Sequence, residues 1–129
     1  MGSLTDPHDA CQVVRATGEL DLTTVPHFAH ELRTVRDRPR PPRLVVDLSA
    51  VSFMDGSALD PLCAAWDDCR HHGGWARVVY TRRSVGIVFR AARLGELFPQ
   101  YLTVMDARRG HVADAPPPED QGAPCGGSA

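Results

Sequence analysis

The sequence predicts an α/β domain built on a largely parallel sheet, and three observations carry that prediction. Apolar segments of strand and helix character alternate along the chain. The connections between them are short. One segment, Arg43-Leu44-Val45-Val46-Asp47-Leu48, is an almost continuous apolar run, as expected of a strand covered on both faces. With 129 residues there is length for one core and not for two. The expected order is βαβαβαβα, a mixed, mostly parallel sheet of four to five strands with helices packed against it by right-handed crossovers.

Each element has its own signal. Gln12-Val13-Val14-Arg15-Ala16 reads as a strand that Gly18 ends. Thr23 or Thr24 can cap a helix with Pro26 in its first turn. Val25, Phe28, Leu32 and Val35 then fall on one helical face. Arg38-Pro39-Arg40-Pro41-Pro42 breaks that helix as a solvated loop, and the central strand follows. Leu59, Leu62, Trp66 and Cys69 mark a second helix, ended by Gly73-Gly74. Trp75-Ala76-Arg77-Val78-Val79-Tyr80 is the third strand. Ser84 is placed to cap a third helix through Val85, Val88, Phe89 and Ala92. Gln100-Tyr101-Leu102 reads as a short last strand, and Thr103 with Asp106 as a capping box opening a stub of helix before Gly110. Phe28, Leu32, Val45, Leu62 and Val79 are the expected core.

Composition removes several classes of function. The formal net charge is −2, which argues against a basic nucleic-acid binder and against a highly acidic chain. No run of 18 apolar residues occurs, so no membrane span is expected, and the first residues lack the pattern of a secretion signal. A cytoplasmic protein is the expectation. All basic residues are arginine, a bias that fits a GC-rich bacterial genome. Residues 10–109 form the expected domain. Residues 1–9 read as a flexible N-terminus, and residues 110–129, with Pro116-Pro117-Pro118 and Gly126-Gly127, as a disordered tail with little to bury. Cys11, Cys63, Cys69 and Cys125 have no CxxC spacing. Cys63 and Cys69 with His71 and His72 do not share a helical face, so thiols are expected in place of a metal site, and no cofactor is called for.

In a parallel α/β domain, functional groups gather where strands end and helices begin. Two such turns are rich in candidates. One is Gly18-Glu19-Leu20-Asp21-Leu22-Thr23-Thr24, and the other is Asp47-Leu48-Ser49-Ala50-Val51-Ser52-Phe53-Met54-Asp55-Gly56-Ser57-Ala58-Leu59. With these in view, the chain resembles a STAS domain, the fold of the bacterial anti-sigma factor antagonists. The matching pieces are Gly-Glu-Leu-Asp at 18–21, Asp-Leu-Ser-x-Val-x-Phe-Met-Asp at 47–55, and Gly73-Gly74 before a strand. Arg83-Ser84-Val85 opening a helix and Leu97-Phe98-Pro99-x-Tyr101 complete them. The likeness covers about residues 12–107.

The resemblance implies a non-catalytic partner-switching module. Such a module binds an anti-sigma factor, usually a GHKL-type serine kinase, and so frees a sigma factor. It implies Asp21, Thr23, Asp55, Gly56, Ser57 and Leu59 as the partner-binding residues, no nucleic-acid or membrane partner, and a monomer or weak dimer. In the family the kinase phosphorylates a serine directly after the second Asp. Here that position is Gly56, which has no hydroxyl, and Ala58 replaces the family's glycine. Ser57 is the remaining candidate phosphoacceptor. Its competing reading, favoured here, is as an N-cap that forms a short-armed capping box with Asp60. A signalling, scaffold or ligand-sensing STAS module without a kinase partner is the alternative. An enzyme reading through Asp55, Ser57 and a distant His is disfavoured, because Asp-Gly-Ser-Ala-Leu is not the nucleophile elbow.

Overall fold

A computed structural model of the protein describes residues 11–36 and 42–113. The expected loose termini and the proline-broken loop lie largely outside these residues, as does Cys125. The described elements follow the expected order: β1 (Gln12–Leu20), α1 (Val25–Arg36), β2 (Arg43–Met54), a 3-10 turn (Gly56–Ala58), α2 (Leu59–His71), β3 (Trp75–Val79), α3 (Arg83–Ala91) and α4 (Val104–Arg109). The sheet order is β1-β2-β3 and both pairings are parallel. Where a fourth strand is expected, Tyr101 makes a single parallel bridge to Val79. Pro99 lacks an N–H and the helix begins at Val104, so little backbone is free to lengthen that pairing.

Both faces of the sheet are covered, which explains the unbroken apolar run of β2. Leu44, Val46 and Leu48 face the larger core, together with Phe28 and Leu32 of α1, Leu62 and Ala65 of α2, and Val85 and Phe89 of α3. Val45 faces the other way, against Val79, Tyr101 and Ala107 of α4. All five expected core residues are buried, and Leu32 and Val45 have no exposed surface. Arg77 closes the smaller face. Its guanidinium donates to the Ala107 carbonyl at 2.8 Å and lies 3.9 Å from the centre of the Trp75 ring. The end of α4 is thereby held by a charge-assisted bond and a cation–π contact.

Two strands run further than their apolar patterns. β1 reaches Leu20 and β2 reaches Met54, through irregularities between Arg15 and Thr17 and between Gly18 and Glu19. Gly18 has φ 75°, a left-handed conformation that glycine takes without strain, and it lies inside β1 beside the second irregularity, where β2 carries the extra residue Ser52. Asp47 accepts from both the amide and the hydroxyl of Ser49, which satisfies polar groups inside the bulged stretch of β2. β3 stops opposite Asp47, so the second half of β2 projects beyond it with β1 alone beside it in the sheet.

Gly73 and Gly74 end α2 as expected, for different reasons. Gly73 has φ 81°. At Gly74 a Cβ would lie 1.6 Å from the Pro42 carbonyl oxygen, the group that accepts the Trp75 amide at 3.0 Å. Gly74→Ala is therefore expected to destabilise the fold by about 1–3 kcal/mol or more, since backbone and not a flexible side chain must move. Leu32→Ala is expected to cost roughly 2–5 kcal/mol from lost burial and the cavity left behind. Urea titrations monitored by circular dichroism measure both. A loss below about half a kcal/mol for Leu32→Ala contradicts the helix face assigned here.

Candidate functional site

The two candidate turns meet at the carboxyl end of the sheet. Leu20 pairs with Met54, and the Asp55 amide donates to the Leu20 carbonyl at 3.1 Å. This last rung brings the Asp21 and Asp55 turns side by side. Ser52 adds a second tie, its hydroxyl donating to the Gly18 carbonyl at 3.2 Å.

Each aspartate caps its own turn. The Asp21 carboxylate accepts from the Thr23 hydroxyl at 2.7 Å, the Thr23 amide at 2.9 Å and the Thr24 amide at 3.3 Å. The Thr24 hydroxyl in return accepts from the Asp21 amide at 3.0 Å and donates to the Glu19 carbonyl at 2.8 Å. The arrangement is a reciprocal capping box of the Asp-x-x-Thr kind. It corrects the expectation that Thr23 or Thr24 is the cap: Asp21 is the cap, and Thr24 supplies the return bond. β1 runs on to Leu20, so Asp21 directly follows the strand, and its carbonyl accepts the Val25 amide at 2.9 Å as the first bond of the helix.

The second turn repeats the logic. Asp55 is the extended N-cap of the 3-10 turn, and its carboxylate accepts from the Ser57 amide at 2.9 Å. The Ser57 hydroxyl donates to the same oxygen. Ser57 is thus not the expected cap paired with Asp60. Ala58 occupies the N-cap position of α2 and makes no side-chain cap bond. Gly56 is exposed, its φ is outside the left-handed region, and a Cβ there would meet nothing within 4 Å. Leu59 is half-buried against the core and Thr23 is exposed. The six residues implied as a binding set are therefore gathered on two adjoining turns, with Leu59 anchored in the core.

Exposed apolar side chains outside the implied binding set occur on the turns and on α3. Leu22 is 77% exposed and Phe53 46%, the residues that follow Asp21 and precede Met54-Asp55. Ile87 lies on α3, which is tied to the same corner because the Ser84 hydroxyl donates to the Ser52 carbonyl at 3.2 Å. Ser84 is consequently not the cap of α3; Arg82 takes that position with no side-chain bond. On the outer side of the Asp21 turn, a groove of about 500 Å³ between β1 and α1 is lined by Glu19, Thr23, His27 and Glu31, among others.

The electrostatics are those of capping groups. The Thr23 hydroxyl and then the Thr23 and Thr24 amides hold the Asp21 carboxyl below the usual carboxylate value. Burial, with Asp60 nearby, pushes the Cys63 thiol up, which disfavours a reactive thiolate at neutral pH. Among the described residues, no three His, Cys, Asp or Glu side chains come together as a metal site. No described helix is long and apolar enough to cross a membrane.

Comparisons with known proteins agree with this geometry. The STAS domain family profile matches residues 4–107. An anti-sigma factor antagonist from Mycobacterium paratuberculosis is 32% identical over 76% of this chain and 82% of its own, with a TM-score of 0.67. The anti-sigma factor antagonist SpoIIAA in its unphosphorylated form is 21% identical over 80% of this chain and 92% of its own, with a TM-score of 0.63. The STAS domain of a SulP transporter from Vibrio cholerae is 18% identical over 84% of this chain and 85% of its own, with a TM-score of 0.59. The chain belongs to the STAS domain family.

The depressed Asp21 carboxyl has a pH signature. A carboxylate with a lowered folded-state pKa stabilises the fold above its unfolded value, and that contribution disappears as pH falls through the folded value. Asp21→Ala is expected to lower the thermal midpoint at pH 7. The gap between wild type and variant should close as pH falls below about 3.8, the ordinary value. Paired thermal melts from pH 7 to pH 2.5 measure it, and a gap that is constant with pH contradicts the capping role.

Proposed function

We propose that the protein is an anti-sigma factor antagonist-like binding module. It docks on an anti-sigma factor of the GHKL serine kinase type, frees a sigma factor, and so regulates transcription. The observation that carries this reading is the pair of adjoining turns at the carboxyl end of the sheet, Asp21 to Thr23 and Asp55 to Leu59. Their carboxylates are held rigid by their own capping bonds, and the exposed Leu22 and Phe53 stand beside them. The 32% identity to an anti-sigma factor antagonist supports it. Rigid turns lose little conformational freedom on binding, and the neighbouring apolar groups supply area to bury. The chain itself catalyses nothing in this reading.

The standard phosphoserine switch is absent from it. A phosphate placed after Asp55 would add about −1.5 to −2 charges beside an existing carboxylate and disfavour a docked interface. Gly56 cannot accept one. Ser57 is a poor substitute, because its hydroxyl is engaged with Asp55 and points from the next position of the turn. Binding is therefore insensitive to ATP.

One feature favours a second reading, a STAS scaffold or ligand-sensing module with no kinase partner. The polar groove lined by Glu19, Thr23, His27 and Glu31 opens beside the same turn, and a chain without the acceptor serine has no need of a kinase.

The test uses the open space at position 56. Gly56→Ser should change stability by no more than about 0.5 kcal/mol, since nothing crowds the new side chain. With an anti-sigma kinase and ATP, mass spectrometry should find no phosphate on the wild type and one on Gly56→Ser, whose binding then becomes ATP-sensitive. Gly56→Asp should weaken binding by roughly 1–3 kcal/mol. Stoichiometric phosphate on Ser57 of the wild type overturns the constitutive reading. Wild-type affinity in Gly56→Asp removes this turn from the interface and favours the scaffold reading.

A further inference from the structure

The corner that presents Phe53 has α3 on its far side, and α3 begins with charge opposite in sign to the two capped turns. Arg82 is the N-cap of α3 and Arg83 its first residue. Both are exposed, and among the described residues no carboxylate pairs with either. The position is unfavourable for the isolated fold. A helix N-terminus favours anions, yet this one carries two cations, no acid in its first turn and no side-chain cap. Ile87 lies one turn further along and is 56% exposed, while Val85 and Phe89 on the inner side of α3 are fully buried. The bond from Ser84 to the carbonyl of Ser52, the residue before Phe53, ties the start of α3 to this end of β2.

We propose that the partner brings a carboxylate-bearing segment against Arg82 and Arg83 and seats an apolar side chain over Ile87 and Phe53, an inference that rests on the docking reading above. The surface is then directional. Glu19, Asp21 and Asp55 belong to the joined ends of β1 and β2, and the two arginines to the start of α3, which Ser84 ties to Ser52. A partner with the complementary layout fits in one orientation and meets like charges in the reverse one. A uniform polyanion, such as RNA or an anionic bilayer, would meet the three carboxylates along with the arginines, so the layout favours a protein. The arginines also serve the encounter, because rim charges act mainly on the association rate and its salt dependence.

The test uses the full chain and the purified GHKL-type anti-sigma kinases of the same genome, with binding read by calorimetry and stopped-flow. Arg82→Glu and Arg83→Glu should each weaken binding at least tenfold and flatten the salt dependence of association. Arg33→Glu, the same charge change on exposed α1, should stay within twofold of wild type. A Glu→Arg reversal on the partner should restore the affinity of Arg83→Glu, which a merely structural defect would not allow. Unchanged binding of Arg82→Glu and Arg83→Glu overturns this inference and leaves the docking reading standing. An equal loss in Arg33→Glu reduces the effect to net charge and also overturns it. A wild-type chain that binds none of the kinases overturns the docking reading and this inference with it.

Discussion

The hydrogen bond from the Asp55 amide to the Leu20 carbonyl is the rung on which the site depends. It is the last link of a parallel ladder that starts at Gln12 and Leu44 and survives two irregularities on the way. Parallel pairing sends both strands out at the same end of the sheet, so the turn after each strand opens on the same side. Without that last rung, Asp21 and Asp55 would sit on independent loops. With it they form one surface, braced by Ser52 on the Gly18 carbonyl and by Ser84 on the Ser52 carbonyl. The rung exists because β1 and β2 both run on past the end of β3, which leaves a two-stranded ridge tied to α3 through Ser84.

A single local device recurs along that ridge. Asp21 with Thr23, Asp47 with Ser49 and Asp55 with Ser57 each place a carboxylate on the amide and hydroxyl two residues later. Each Asp-x-Ser/Thr step lets a polar backbone turn or bulge without losing its hydrogen bonds. The carboxylates so engaged are acceptors that hold geometry, which suits a docking surface better than a proton-transfer site. A negative charge introduced at position 56 would meet a neighbouring Asp55 carboxylate that its own hydrogen bonds hold in place.

Much of this was legible in the sequence because burial patterns are periodic. The face Phe28 and Leu32 of α1, the two-sided run of β2, the Gly73-Gly74 stop and the Thr103 cap all follow from spacing and residue type. Strand ends did not, since Gly18 reads as a terminator when it is a paired residue inside β1, and Ser49 to Ser52 look like a loop when they belong to β2, which bulges there. The caps misplaced at Thr23 or Thr24 and at Ser57 sit at those two strand ends, whereas Ser84 is drawn away by the Ser52 carbonyl. At both ends the aspartate directly after the strand takes the capping role, accepting from the hydroxyl residue two positions on. The exposure of Leu22, Phe53 and Ile87 carried no signal, because one sequence gives no means of telling an apolar residue left in solvent from one in the core. The family motif located the turns, and only the fold showed what borders them.

Docking as proposed above would engage the carboxyl end of the β1–β2 ridge as a single surface. Amide chemical-shift mapping of the labelled chain during titration with a GHKL-type anti-sigma kinase tests it most directly. The account predicts that Asp21 to Thr23, Phe53 to Leu59 and the start of α3 shift or broaden together, while Val104, Ala107 and the α4 face stay unchanged. Perturbations confined to the α4 face, or to one turn without the other, would contradict it.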